Sequence, residues 1–187
     1  IECNTLLLLL QGWSGCWLDG DKKQVGFIKN TFKDLIGQNK LLVRQAFITA
    51  ENIENLLAEA RAPKDLDLLS IDIDGNDYWV WKAISKYKPR VVVIEYNAMF
   101  KPPIEFSVSY EPDKQFIVRS HFGASLQSLE ILAKNKGYEL VGCNFTGANA
   151  FFVRKDLVGD KFSEPFTAEN HHEPPRYFLI DKVGHKR

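Results

Sequence analysis

Leu66-Asp-Leu-Leu-Ser-Ile-Asp-Ile-Asp-Gly-Asn-Asp-Tyr78 begins as an apolar run and closes on three carboxylates, Asp72, Asp74 and Asp77, set around Gly75. The run reads as a buried strand. In an open α/β sheet, ligands bind beyond the carboxyl ends of the strands, so acids placed there point to a site. A second run, Arg90-Val-Val-Val-Ile-Glu-Tyr-Asn97, also ends in polar groups, Glu95 and Asn97. Two adjacent strands then deliver oxygen-bearing side chains to one edge.

Outward from these strands, helices and strands alternate. Residues 4–11 read as the end of a helix stopped at Gly12, and Cys16-Trp-Leu-Asp19 as a short strand. Val25, Ile28, Phe32, Leu35 and Ile36 recur at helical spacing before Gly37. Residues 41–47 form a strand. Thr49 caps a helix with Ile53, Leu56, Leu57 and Ala60 on its apolar face. A helix over 78–87 separates the two acid-bearing strands. Such alternation implies parallel βαβ units with right-handed crossovers. Residues 98–122, with Pro102, Pro103, Pro112, Phe100, Phe106, Tyr110 and Phe116, break the rhythm. A loop of that length at the site's edge is a lid or binding loop, or else a packed surface loop. Leu126, Leu129, Ile131 and Leu132 mark another helix. Residues 138–143 and 150–153 read as a closing antiparallel pair. The expected organisation is one α/β domain over 1–158 and a polar tail over 159–187.

Composition narrows the function. Lys plus Arg and Asp plus Glu both number 24, giving a formal net charge of zero. That argues against a generic nucleic-acid binder, which needs a basic footprint. Cys3, Cys16 and Cys143 are odd in number, far apart and without a CxxC pair. Neither a disulfide scaffold nor a zinc site is indicated, and a reducing cytoplasm is the simplest setting. The five-leucine run Leu6 to Leu10 lacks a basic flank and a cleavage site, and is too short to span a bilayer. No membrane partner is expected.

The motifs together resemble a family. Gly12-Trp-Ser-Gly-Cys-Trp-Leu-Asp-Gly-Asp21 is similar to the G-W-x-G-x-x-x-E segment of FkbM-type S-adenosylmethionine-dependent methyltransferases. Ile71-Asp-Ile-Asp-Gly-Asn-Asp77 resembles their I-D-x-E-G-x-E, with Asp for each Glu. Val93-Ile-Glu-Tyr-Asn97 resembles their v-x-E-x-N strand. Gly137-Tyr138 and Asn149-Ala-Phe-Phe-Val153 resemble their closing elements. The resemblance spans residues 1 to about 155 and implies a Rossmann-like class I methyltransferase sheet with a closing antiparallel hairpin. It departs at the start. The family's first strand and glycine-rich cofactor loop should precede Ile1, and no GxGxxG occurs within the 187 residues. The strands ending at Asp19 and Asp72 would both pair with that strand, so the reading expects a few tens of upstream residues or fewer.

The resemblance also implies roles. Asp19 would accept the ribose hydroxyls of S-adenosylmethionine, since a carboxylate suits a diol; the alternative is a solvated turn acid. Asp21 is a weaker candidate for the same role. Phe47 would lie near the adenine or else belong to the core. Asp72 would touch cofactor or acceptor, orienting a hydroxyl, acting as base or holding a cation. Asp72, Glu95 and Asn97 would offer three oxygen ligands to Mg²⁺, a centre that acidifies a substrate hydroxyl. The expected reaction is O-methylation of a sugar, glycan or small metabolite. Asp74 and Asp77 read as helix caps, His121 as a loop base or a surface residue, His171-His172 as solvated, and Trp13, Trp17, Trp79 and Trp81 as core, with Trp79 bordering the site as the alternative.

Two further readings stand beside this one. Asp72-Ile-Asp-Gly75 also looks like the D-x-D-G loop of haloacid-dehalogenase-type phosphatases, with Asp72 as nucleophile and Asp74 as acid/base. Asn76 in place of Thr or Val, and the mid-chain position, count against it. A catalytically degenerate methyltransferase-like binding domain is the non-enzyme reading. An EF-hand is excluded, because Gly75 falls at the fourth loop position and Ala83 at the place of the bidentate Glu.

Overall fold

The computed structural model describes residues 3–112 and 122–176. The chain clusters into two compact units, Ile1–Ala62 and Pro63–Arg187. Both are α/β, and each carries its own sheet. The division at Ala62 falls within the residues expected to form one domain, 1–158. Among the described residues the strand ending at Asp19 pairs only with that ending at Gln45, and the strand ending at Ile71 only with that ending at Glu95.

In the first unit, α1 (Leu6–Leu10) precedes β1 (Gly15–Asp19), α2 (Lys22–Thr31), α3 (Lys33–Gly37), β2 (Leu41–Gln45) and α4 (Ile53–Glu59). β1 and β2 are parallel, with Trp17 opposite Val43 and Asp19 opposite Gln45. Leu9, Val25, Ile28, Leu41 and Val43 form the buried cluster, with Trp17 and Phe32 packed against it. The single helix expected over 25–36 breaks at Phe32. Thr31 donates its hydroxyl to the Phe27 carbonyl, a back-bond that bends helices. Phe32 leaves helical geometry to set its ring edge-on to Trp17 at 5.3 Å. Thr49 does not cap α4. Its N–H instead donates to Asn52 Oδ1, and Asn52 Nδ2 donates to the Phe47 carbonyl, so the helix starts at Ile53.

In the second unit, β3 (Leu68–Ile71), α5 (Asp77–Ala83), β4 (Val91–Glu95), α6 (Leu126–Lys136), β5 (Tyr138–Cys143), β6 (Asn149–Arg154), α7 (Lys155–Val158) and α8 (Ala168–His171) follow in order. The sheet runs β3-β4-β6-β5, with β3 parallel to β4 and β6 antiparallel to both β4 and β5. α5 ends at Ala83, four residues short of the expected Tyr87, where Ile84 turns extended; Lys136 Nζ donates to the Ile84 carbonyl at 2.6 Å. α6 is bounded as its residues dictate: Ser125 Oγ accepts from the Ser128 N–H, and Gly137 closes the helix at φ +82°. Leu126, Leu129 and Leu132 face inward, while Ile131 falls off the stripe and is exposed. Trp81, 1% exposed, lies against Phe152 and Tyr138 at ring separations of 4.9 and 5.9 Å. Trp13, expected in a core, is 45% exposed because α1 ends before it and its place is in the turn to β1.

Residues 159–176 are not a free tail. Ala168 is fully buried, its N–H donating to Glu130 Oε2, and His172 Nε2 lies 3.1 Å from the Ala98 carbonyl. The solvated reading of the histidine pair therefore gives way to a packed one. No helix among the described residues is long and apolar enough to cross a membrane.

Burial pushes the Cys143 thiol up to about 12, more than its bonds to Tyr96 and the Glu173 backbone bring it down. At pH 8 only about one thiol in 10⁴ at that position is the reactive thiolate. Native-state alkylation followed by mass spectrometry should therefore leave Cys143 unlabelled until the second unit is unfolded. Rapid native labelling would mean that this part of β5 is not buried.

Candidate functional site

Each unit presents polar groups at the carboxyl end of its own parallel strands. In the second unit the turn after β3 is built by Asp77. This residue is fully buried and accepts from the Ile73 and Gly75 N–H groups, both at 2.9 Å. It is the first residue of α5, and its carboxylate reaches back into the turn instead of capping the helix end as the sequence suggested. Burial raises its pKa, opposed by those backbone bonds, and the neighbouring Asp74 adds to the rise. The turn carries Asp74 at φ +59° and Gly75 at φ +138°. Asp tolerates the left-handed region better than most side chains, and glycine enters it without cost.

That reversal brings Asp74 beside Asp72, and the end of β4 adds Glu95. One carboxylate oxygen from each of the three lies within 4.8 Å of the others. Asp72 and Asp74 are exposed, whereas Glu95 is only 9% exposed. The residues alone point Asp74 to helix capping or to the acid/base of a phosphatase loop, and Gly75, which permits the reversal, is the sequence signal for its place in the cluster. Asn97, expected as an oxygen ligand, is fully buried and staples the chain after β4. Its Nδ2 donates to the Phe122 carbonyl at 3.1 Å, and its Oδ1 accepts from the Met99 N–H at 3.1 Å.

Asn76 and Trp79 hold the long loop. Asn76 Nδ2 donates to the Glu111 carbonyl at 2.8 Å, and Trp79 Nε1 to the Val108 carbonyl at 2.7 Å. Residue 107 also bridges to Ala124, and the Phe100 and Phe106 rings stack at 4.1 Å. The loop is thus pinned as far as Glu111 to the acid-bearing turn and the start of α5. His121 and Phe116 lie outside the described residues.

In the first unit, Asp19 ends β1 and Asp21 caps α2. Asp21 Oδ1 accepts from the Lys23 N–H at 2.6 Å, a cap that occupies one of its oxygens. Asp19, half-buried at the end of β1, accepts at Oδ1 from the Asp21 N–H at 2.7 Å. Phe47 is 51% exposed and so is not a core residue. Its ring lies over Gly20, 3.6 Å from where a Cβ would sit. A carboxylate and an open aromatic face therefore stand together at the carboxyl end of β1 and β2.

No protein family, curated protein or solved structure matches the chain.

Proposed function

We propose that the chain is a methyltransferase domain that uses S-adenosylmethionine to methylate an alcohol oxygen of a sugar, glycan or small metabolite. The observation that carries this reading is the pairing of Asp19 with the exposed Phe47 ring. A carboxylate for the ribose diol and an apolar plane for a purine fit the nucleoside half of that cofactor. The Rossmann-like arrangement is supported by the strand orders, β2-β1 in one unit and β3-β4-β6-β5 in the other, closing on an antiparallel hairpin.

When bound, the sulfonium supplies an already activated methyl group, so the chain's task is alignment and proton removal. Asp72 and Glu95, on adjacent strands, would orient the acceptor hydroxyl and take its proton. Asp72, Asp74 and Glu95 would also hold a divalent cation. Oxygens around one Mg²⁺ lie at most about 4.2 Å apart, so the 4.8 Å spread closes with small side-chain rotations. Such an ion would acidify the acceptor hydroxyl. The proximity of Asp72 and Asp74 also suits the phosphatase reading, in which the chain would hydrolyse a generic aryl phosphate with Mg²⁺.

Calorimetric titration with S-adenosylhomocysteine tests the proposal. Micromolar binding is expected, weakened at least about tenfold in Asp19→Ala through loss of charge-assisted hydrogen bonds and also weakened in Phe47→Ala. Absence of binding, or equal binding in Asp19→Ala, would remove the methyltransferase reading. Aryl phosphate hydrolysis in its place would select the phosphatase.

A further inference from the structure

The end of β4 is gripped from behind. Glu95 belongs to the acid cluster, and the next residue, Tyr96, is fully buried. Successive side chains of a strand project to opposite faces, so the tyrosine ring backs the strand end from which Glu95 projects. The phenol bonds to the Cys143 thiol and makes two bonds to Glu173. Its hydroxyl donates to the Glu173 carbonyl at 2.8 Å and accepts from the Glu173 N–H at 3.3 Å. His172 places its ring edge against Tyr96 at 6.2 Å and its Nε2 on the Ala98 carbonyl.

Both flanks of this seat are tied as well. Arg176 donates its N–H to the Thr146 carbonyl at 2.8 Å and its guanidinium to the Phe145 carbonyl at 2.7 Å. Gly147, at φ +74°, passes so close that a Cβ there would lie 2.5 Å from the Pro174 oxygen and 2.8 Å from that of Glu173. Those neighbours are backbone atoms and cannot give. On the other side, Ala168 is held by the buried Glu130 carboxylate of α6. The turn between β5 and β6 closes the clamp through the Tyr96 N–H, which donates to the Ala148 carbonyl, and the Asn97 N–H donates to the carbonyl of Ala124, just before α6.

We infer that residues 167–176 form a strap that positions the Glu95 end of the acid cluster, with Tyr96 and Ala98 as its seat. Its catalytic consequence rests on the methyltransferase reading, but its mechanical consequence does not. The strap acts through the backbone of residues 95–98, so Tyr96, His172 and Gly147 are positioning residues.

Tyr96→Phe removes the two bonds to Glu173 together with the one to the Cys143 thiol, and keeps the ring in its site. Amide hydrogen exchange should speed up about tenfold at Tyr96 and Asn97, in keeping with the lost hydrogen bonds, while Val92, Val93 and Ile94 keep their protection. His172→Ala should loosen the same two amides from the strap side. Unchanged exchange at Tyr96 and Asn97 in both variants would overturn the strap. Equal loosening of β4 throughout would do so too, since it would make Tyr96 an ordinary core residue. Turnover supplies the second arm. If the wild type transfers methyl groups, Tyr96→Phe should lower kcat with little change in S-adenosylhomocysteine affinity, and unchanged kcat would sink the positioning role. If the wild type transfers none, the methyltransferase reading falls and the exchange result still decides the strap.

Discussion

Trp81→Ala is expected to cost about 3–5 kcal/mol, the range for deleting a large buried aromatic. The side chain is 1% exposed and fills the space between α5, β5 and β6, where Phe152 and Tyr138 meet it. Domains of this size have only about 5–15 kcal/mol in total, so the second unit would lose much of its stability. Urea unfolding followed by circular dichroism reads the effect as a lower midpoint. Trp13→Ala is the control, because its ring is 45% exposed and surface changes stay within about 0.5 kcal/mol. Equal midpoints for the two variants would show that the aromatic cluster is not the unit's core.

Asp77→Ala should cost about 2–4 kcal/mol, because it leaves two backbone N–H groups without their acceptor. One of them, on Gly75, is buried, and the residue itself is fully buried. The turn it closes carries Asp72 and Asp74, so the variant should lose the acid cluster's geometry as well as stability. pH gives a second reading. The carboxyl's pKa is raised in the folded state by burial. Its titration therefore favours folding fully below its unfolded value of 3.8, and the advantage is lost as pH rises through the folded value. Thermal unfolding of the wild type relative to Asp77→Asn should thus improve on acidification toward that window. A wild type that loses ground to Asp77→Asn on acidification would mean that the two backbone bonds outweigh burial.

β4 was legible in the sequence because it is buried on both faces and reads as a continuous apolar run, and β3, half-buried along most of its length, because its apolar run ends sharply in carboxylates. α6 was legible because its cap, its stripe and Gly137 agree. The break at Phe32 was not, because it follows from a ring contact with Trp17 that no periodicity encodes. The acid edge was half legible. Asp72 and Glu95 could be placed by strand ends alone, but Asp74 joins them only through the left-handed turn. Asn97 turned from ligand to staple because its partners, Phe122 and Met99, lie on a loop whose path the residues do not announce. The strap was the least legible element. Its residues are polar and proline-rich, and its grip depends on Tyr96, 77 positions away from Glu173.

That separation bears on the order in which the second unit assembles. The surface that residues 167–176 grip exists only after β4, the β5–β6 turn and α6 have come together. Contacts that close such long loops form late. Weakening them should leave the folding rate nearly unchanged and speed unfolding instead, so the strap adds to the lifetime of the folded state more than to the rate of reaching it.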